Sequence, residues 1–144
     1  MTYVKEFMLD PNVYRYAAEY GASEEMEFNC GNKELWLTYD DIGLINLHVE
    51  TGSMCRFHPY IKREHKDKYD GMIKEFFKWF IDNMQAEAVK LNAIIPVVFD
   101  GAQQAARRAK MTVEGIDRMS YRTEKGACDR ILYGITKEEM KWVI

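Results

Sequence analysis

Three side chains in this sequence have the type and placement to move protons: His48, Glu50 and His58. Leu44, Asn46, His48 and Glu50 alternate with a period of two, which on an extended chain puts them on one face, an unusually polar one. His58 lies beside Pro59 within another extended run. An imidazole near its reference pKa can take up a proton at neutral pH. The plainer reading is that each is a half-buried residue satisfied by a hydrogen bond. Cys55 and His58 are three apart, which on a strand sends them to opposite faces, and no CxxC or HExxH accompanies them. A metal site is therefore not expected. No Ser-His-Asp or Cys-His arrangement emerges either.

A second group surrounds a helix start. In the run Lys62 to Gly71, the cations Lys62, Arg63, Lys66 and Lys68 outnumber Glu64 and Asp67 ahead of Tyr69, Asp70 and Gly71. By composition alone this is a solvated strand-to-helix connection, with Asp67 as N-cap and Asp70 favourable to the helix dipole. Arg107, Arg108 and Lys110 cluster further on, where they suit a helix C-terminus or an acidic partner.

The elements that must hold these groups follow from periodicity. At 144 residues, with 47% hydrophobic and 30% charged residues, the chain is expected to form one domain spanning 1–144. A net charge of −3, with aromatic residues gathered in apolar stripes, gives no reason to expect nucleic acid or an anionic membrane as partner. No apolar run approaches the roughly 18 residues of a membrane span, and the N-terminus lacks a signal-peptide pattern. Cys30, Cys55 and Cys128 read as reduced thiols, and the expected location is cytoplasmic.

Tyr3 to Leu9 reads as a first strand. Asp10-Pro11 then starts a helix carrying Val13, Tyr16, Ala17 and Tyr20 to Gly21, and a further helical turn covers Ser23 to Phe28. Leu35–Tyr39, Leu44–Glu50 and Met54–Ile61 form an antiparallel meander. Tyr69, Met72, Ile73, Phe76, Phe77, Phe80 and Met84 trace the apolar stripe of a long helix. Leu91 to Val98 is a buried strand, in which Pro96 predicts that pairing opens. Gly101 to Lys110 is helical. Lys110 to Ile135 is a hairpin turning at Glu124-Lys125-Gly126, and the alternation in MKWVI suits a last strand, within the sheet or against a second subunit.

The order is β-α-(α)-β-β-β-α-β-α-β-β, an α/β (α+β) domain whose mostly antiparallel mixed sheet contains a central parallel pair. With Glu114-Gly115 and the strand Asp129 to Tyr133, this order resembles the GNAT superfamily of N-acyltransferases, small phage-encoded members among them. The resemblance implies acetyl-CoA held where Met54–Ile61 and Leu91–Val98 splay apart, and transfer of its acetyl group to a primary amine of a small molecule or a protein. It also implies backbone N–H groups of the strand Met54–Ile61 polarising the thioester, with His58, His48 or Glu50 as general base. The cofactor phosphates would meet His65, Lys66, Lys68, Tyr69, Asp70 and Gly71. Against the family pattern, Lys68 and Asp70 stand at the two glycine places, Ala106 at the tyrosine that protonates the departing thiolate, and Phe99 or Asp100 at an asparagine. The departures keep an alternative open: a catalytically inactive GNAT-fold protein serving as a phage virion, assembly or host-interaction module, with a homodimer or virion partner.

Overall fold

The computed structural model describes residues 2–11, 13 and 33–144. The helical assignments for Tyr16 to Gly21 and Ser23 to Phe28, and Cys30, lie outside the described residues. Strands β1 (Glu34–Tyr39), β2 (Gly43–Val49), β3 (Met54–Ile61), β4 (Lys90–Pro96), β5 (Thr112–Thr123) and β6 (Gly126–Thr136) form one sheet in the order β1-β2-β3-β4-β6-β5. Only β3 and β4 run parallel; β1–β2, β2–β3, β4–β6 and β5–β6 are antiparallel. The strand-helix-strand crossover between β3 and β4 requires that parallel pair. It is made by a 3-10 turn (Arg63–Lys68) and helix α2 (Tyr69–Asn83), after α1 (Thr2–Leu9). Helix α3 (Asp100–Arg108) links β4 to β5, and α4 (Lys137–Met140) follows β6.

Two expectations are corrected. Tyr3 to Leu9 is not a strand but lies within α1, because Val4, Phe7 and Met8 recur at helical spacing and are buried while Tyr3, Lys5 and Glu6 are exposed. The β-like alternation at the other end also gives way. Thr136 accepts the Glu139 N–H (3.2 Å) while the Glu139 carboxylate accepts the Thr136 N–H (3.2 Å), a capping box that turns Lys137–Met140 into helix. Met140 then drops into the core and Trp142 is left exposed.

The core lies on one face of the sheet. Met72, Ile73, Phe76, Phe77 and Phe80 of α2 pack on Ile45, Leu47, Cys55, Phe57, Leu91 and Ala93, joined by Ala106 of α3 and by Tyr133 and Ile135 of β6. Each buried phenylalanine contributes about 2–3 kcal/mol. Helix α2 approaches so closely that a Cβ on Gly43 would collide with the Met72 sulfur, which is why β2 begins on a glycine. Pressed on the other face is α1, its Val4, Phe7 and Met8 against Leu44, Trp36 and Tyr60. That second face, beyond the reach of α1, carries the polar residues.

Candidate functional site

The central feature is a fork. Strands β3 and β4 pair only through Met54↔Lys90, Cys55↔Leu91 and Arg56↔Asn92, and there the ladder stops. Each strand continues to pair with its outer neighbour: β3 with β2 as far as Gly43↔Ile61, and β4 with β6 as far as Pro96↔Arg130. The backbone directions follow from two bonds. The Ser53 carbonyl accepts from Val89 and Lys90 on the β4 side, whereas the Met54 carbonyl accepts from Glu50 and Thr51 on the β2 side. Alternation therefore points the backbone groups of Phe57, Pro59 and Ile61, and of Ile94 and Pro96, into the gap. Both prolines lack an N–H. The last rung of a parallel ladder commits the Phe57 N–H to Asn92, leaving the Ile94 N–H as the donor nearest the fork. The far end of β4 is closed: the Pro96 carbonyl accepts Phe99 N–H (3.0 Å) and Gln103 Nε2 (2.8 Å), and buried Gln103 is itself held by the Tyr133 hydroxyl.

The side chains flanking the fork come from the polar face. Asn46 stands opposite His58, and His48, Arg56 and Asn92 form a row across β2, β3 and β4. The structure thus brings together His48, His58 and, through Arg56, Glu50. Nδ1 of His48 faces the Glu34 carboxylate at 3.5 Å, so Nε2 is turned away from it. Glu50 lies just past β2 and meets Arg56 Nη1 at 3.6 Å. His58 departs from its expected chemistry. Burial, reinforced by the charges of Arg56, Arg130 and His48 and only partly opposed by Glu50, lowers its pKa to about 4. It is neutral at pH 7 and a weak base.

Among the described residues, three polar atoms on this face have no hydrogen-bond partner although they are shut from solvent: Asn46 Nδ2, Arg56 Nε and Asn92 Oδ1. Asn46 is 8% exposed and Asn92 4%. The other end of the Asn92 amide rests only on the Met54 sulfur at 2.8 Å, a weak acceptor. An orphaned buried donor or acceptor costs about 1–3 kcal/mol, so their concentration around His58 demands a reason.

At the helix start, the residues expected at the phosphate are together but arranged differently from a glycine loop. The His65 N–H bonds the Lys62 carbonyl (2.9 Å), and the Tyr69 N–H bonds the Lys66 carbonyl, so the 3-10 turn uses a donor that the helix end would otherwise offer. Lys66, Lys68 and Asp70 are exposed and His65 is half-buried. Burial and the adjacent Asp70 push the Tyr69 phenol well up, keeping it a donor. A Cβ on Gly71 would stand 3.7 Å from the Tyr39 hydroxyl, an ordinary contact, so nothing here requires a glycine. Asp67 does not cap: α2 has no side-chain N-cap bond and its N-cap residue is Lys68. Asp70, a carboxylate in the first turn of α2, is gripped by Arg108 Nε from the last turn of α3 at 3.2 and 2.9 Å. Ala106 faces the core, 5% exposed.

Arg56, Asn92 and Glu34 are absent from the residues that the sequence suggests for chemistry, Asn46 stands there only as part of a polar face, and Arg108 only as part of a basic cluster. The legible signal was an amide inside each of two apolar runs, LINL and LNAII.

No protein family's sequence profile matches the chain, and no curated protein matches it by sequence. Its fold has clear counterparts among solved structures. A presumed acetyltransferase superposes with a TM-score of 0.71 at 15% identity, over 96% of this chain and 81% of that one. The spermidine N-acetyltransferase of Vibrio cholerae in complex with CoA and spermine gives 0.62 at 16%, over 69% and 60%. The ribosomal-protein-S18-alanine N-acetyltransferase of Escherichia coli gives 0.62 at 10%, over 74% and 71%. The chain spans about three fifths of the length of the Vibrio enzyme. The forked mixed sheet with one parallel pair is the GNAT fold.

Proposed function

We propose that this GNAT-fold chain is an N-acyltransferase that takes an acetyl group from acetyl-CoA to a primary amine. The observation that carries the reading is the fork, where the parallel ladder ends after Arg56↔Asn92 while both strands stay paired outward. Acetyl-CoA supplies the thioester. The fork offers it the Ile94 N–H and the carbonyls of Phe57 and Pro59, a donor-poor edge in which β4 rather than β3 provides the nearest polarising group. Lys66 and Lys68, exposed beside half-buried His65, would hold the phosphates by side-chain charge and hydrogen bonds where the family pattern uses glycine backbone.

The proton of the attacking amine falls best to His48. Glu34 at 3.5 Å from Nδ1 orients the ring and leaves Nε2 to accept. Glu50 is drawn toward Arg56, and His58, neutral at pH 7, serves better as a hydrogen-bond acceptor than as a base. The expected readout is a thermal shift with acetyl-CoA, about 2.7 kcal/mol of added stability at a hundredfold its Kd, and thiol release with an amine present. His48→Gln should lower the rate and leave the shift unchanged. No shift with acetyl-CoA or CoA would overturn the reading.

A second reading, a non-catalytic binding or assembly module on the same fold, is favoured by one specific contact. Asp70, held by Arg108, sets a carboxylate where an anion would have to sit. A shift with acetyl-CoA and thiol release would eliminate it.

A further inference from the structure

The three orphaned atoms around His58 define what the polar face recognises. Asn46 Nδ2 and Arg56 Nε are donors, and Asn92 Oδ1 is an acceptor. Register places them in one patch: Asn46 opposite His58, and Arg56 beside Asn92 at the last rung before the fork. The acidic groups nearby already have partners: Glu50 meets Arg56 through Nη1 and leaves Nε unmet, Glu34 meets His48, and Asp117 meets Arg130. Lys90, next along β4, is held by Glu114, whose carboxylate lies over Gly134. The charged side chains of the patch are thus paired with one another, and what is left unmet is two donors for one acceptor.

Resting on the acyl-transfer reading, we propose that the acceptor is an amine that also carries a carboxylate, an α-amino acid or close analogue. Its carboxylate is read by Arg56 Nε and Asn46 Nδ2, and its amine N–H by Asn92 Oδ1. A polyamine is the wrong complement. It has no acceptor for the two donors. A plain alkylamine satisfies Asn92 and leaves both donors stranded. The Arg56 side chain is 30% exposed although its Nε is buried.

Binding is measured by calorimetry without acetyl-CoA, using the common amino acids, their decarboxylated amines, their carboxamides and spermidine. At least one amino acid should bind about tenfold or more tighter than its own amine and carboxamide. Asn46→Leu and Arg56→Gln should each weaken it by about tenfold, the loss of one hydrogen bond to a charged group. Asn46→Leu removes an unsatisfied buried group, so its Tm should stay level or rise. A lowered Tm with no amino-acid binding would make the amide structural and overturn the proposal. Preference for spermidine or for the decarboxylated amines would also overturn it, and thiol release with those amines would leave acyl transfer standing. Amino-acid binding without any acetyl-CoA shift would keep the recognition site and remove the acyl-transfer reading.

Discussion

Acidification tests the burial of His58 directly. In the folded chain its pKa is about 4, against an ordinary value of 6.5. The folded-state value is depressed, so the stability tied to the neutral ring is present above 6.5 and is lost as pH falls toward 4. At about pH 5 the unfolded ring is nearly all protonated and the folded ring nearly all neutral. The difference is close to 1.5 pKa units, or about 2 kcal/mol lost relative to pH 7.5. With a urea slope of about 2 kcal/mol/M for a chain this size, the midpoint should fall by about 1 M from this residue alone. Other groups titrate in that window, so the quantity to measure is the difference between wild type and His58→Gln at both pH values. The substitution should remove about 2 kcal/mol of the acid loss. An identical acid loss in both proteins would mean that the imidazole is hydrated, and the argument from Arg56 and Arg130 would fail.

Phe80→Ala, at a fully buried α2 position, should cost about 3–5 kcal/mol in urea denaturation. Gly134→Ala pushes a methyl group into the Glu114 carboxylate that pairs with Lys90 at 2.6 Å; a loss of about 1–3 kcal/mol is expected, and Glu114→Ala in the same chain should restore part of it. Asp70→Asn should change stability by less than about 1 kcal/mol, because the pair with Arg108 is half exposed. By releasing Arg108 it should tighten acetyl-CoA binding by roughly two- to fivefold, read as a larger thermal shift.

Most of the sheet could be read from the chain because its signals are local. The run Met54–Ile61 and the Phe76-Phe77-Phe80 stripe each carry a period that one packing partner satisfies. Pro96 marked where β4 leaves its neighbour, although the ladder ends earlier, at Asn92, and a rung count is not a local property. Tyr3 to Leu9 misled because a seven-residue segment this rich in apolar residues can be read as a strand while Val4, Phe7 and Met8 also fit i, i+3, i+4; the choice belongs to Leu44, Trp36 and Tyr60, far along the chain. The site was half legible. His48, Glu50 and His58 have telling types, but the grip of Arg108 on Asp70 and the pairing of Glu34 with His48 join residues 38 and 14 apart in sequence. Nothing in the type of His58 announces its lowered pKa, which comes from burial and from Arg56 and Arg130.

Three rungs are all that stitch one half of the sheet to the other. In most sheets the labile amides lie at the rim; here that of Ile94 lies in the middle. The proton of Ile94 should trade with deuterium through breathing of the seam alone, while that of Leu91, beneath the same helices, waits for much larger openings. A molecule that paired with the Ile94 N–H would slow the first by direct contact and the second only by the stability that binding adds, so a single backbone proton can report occupancy without any label or coupled reaction.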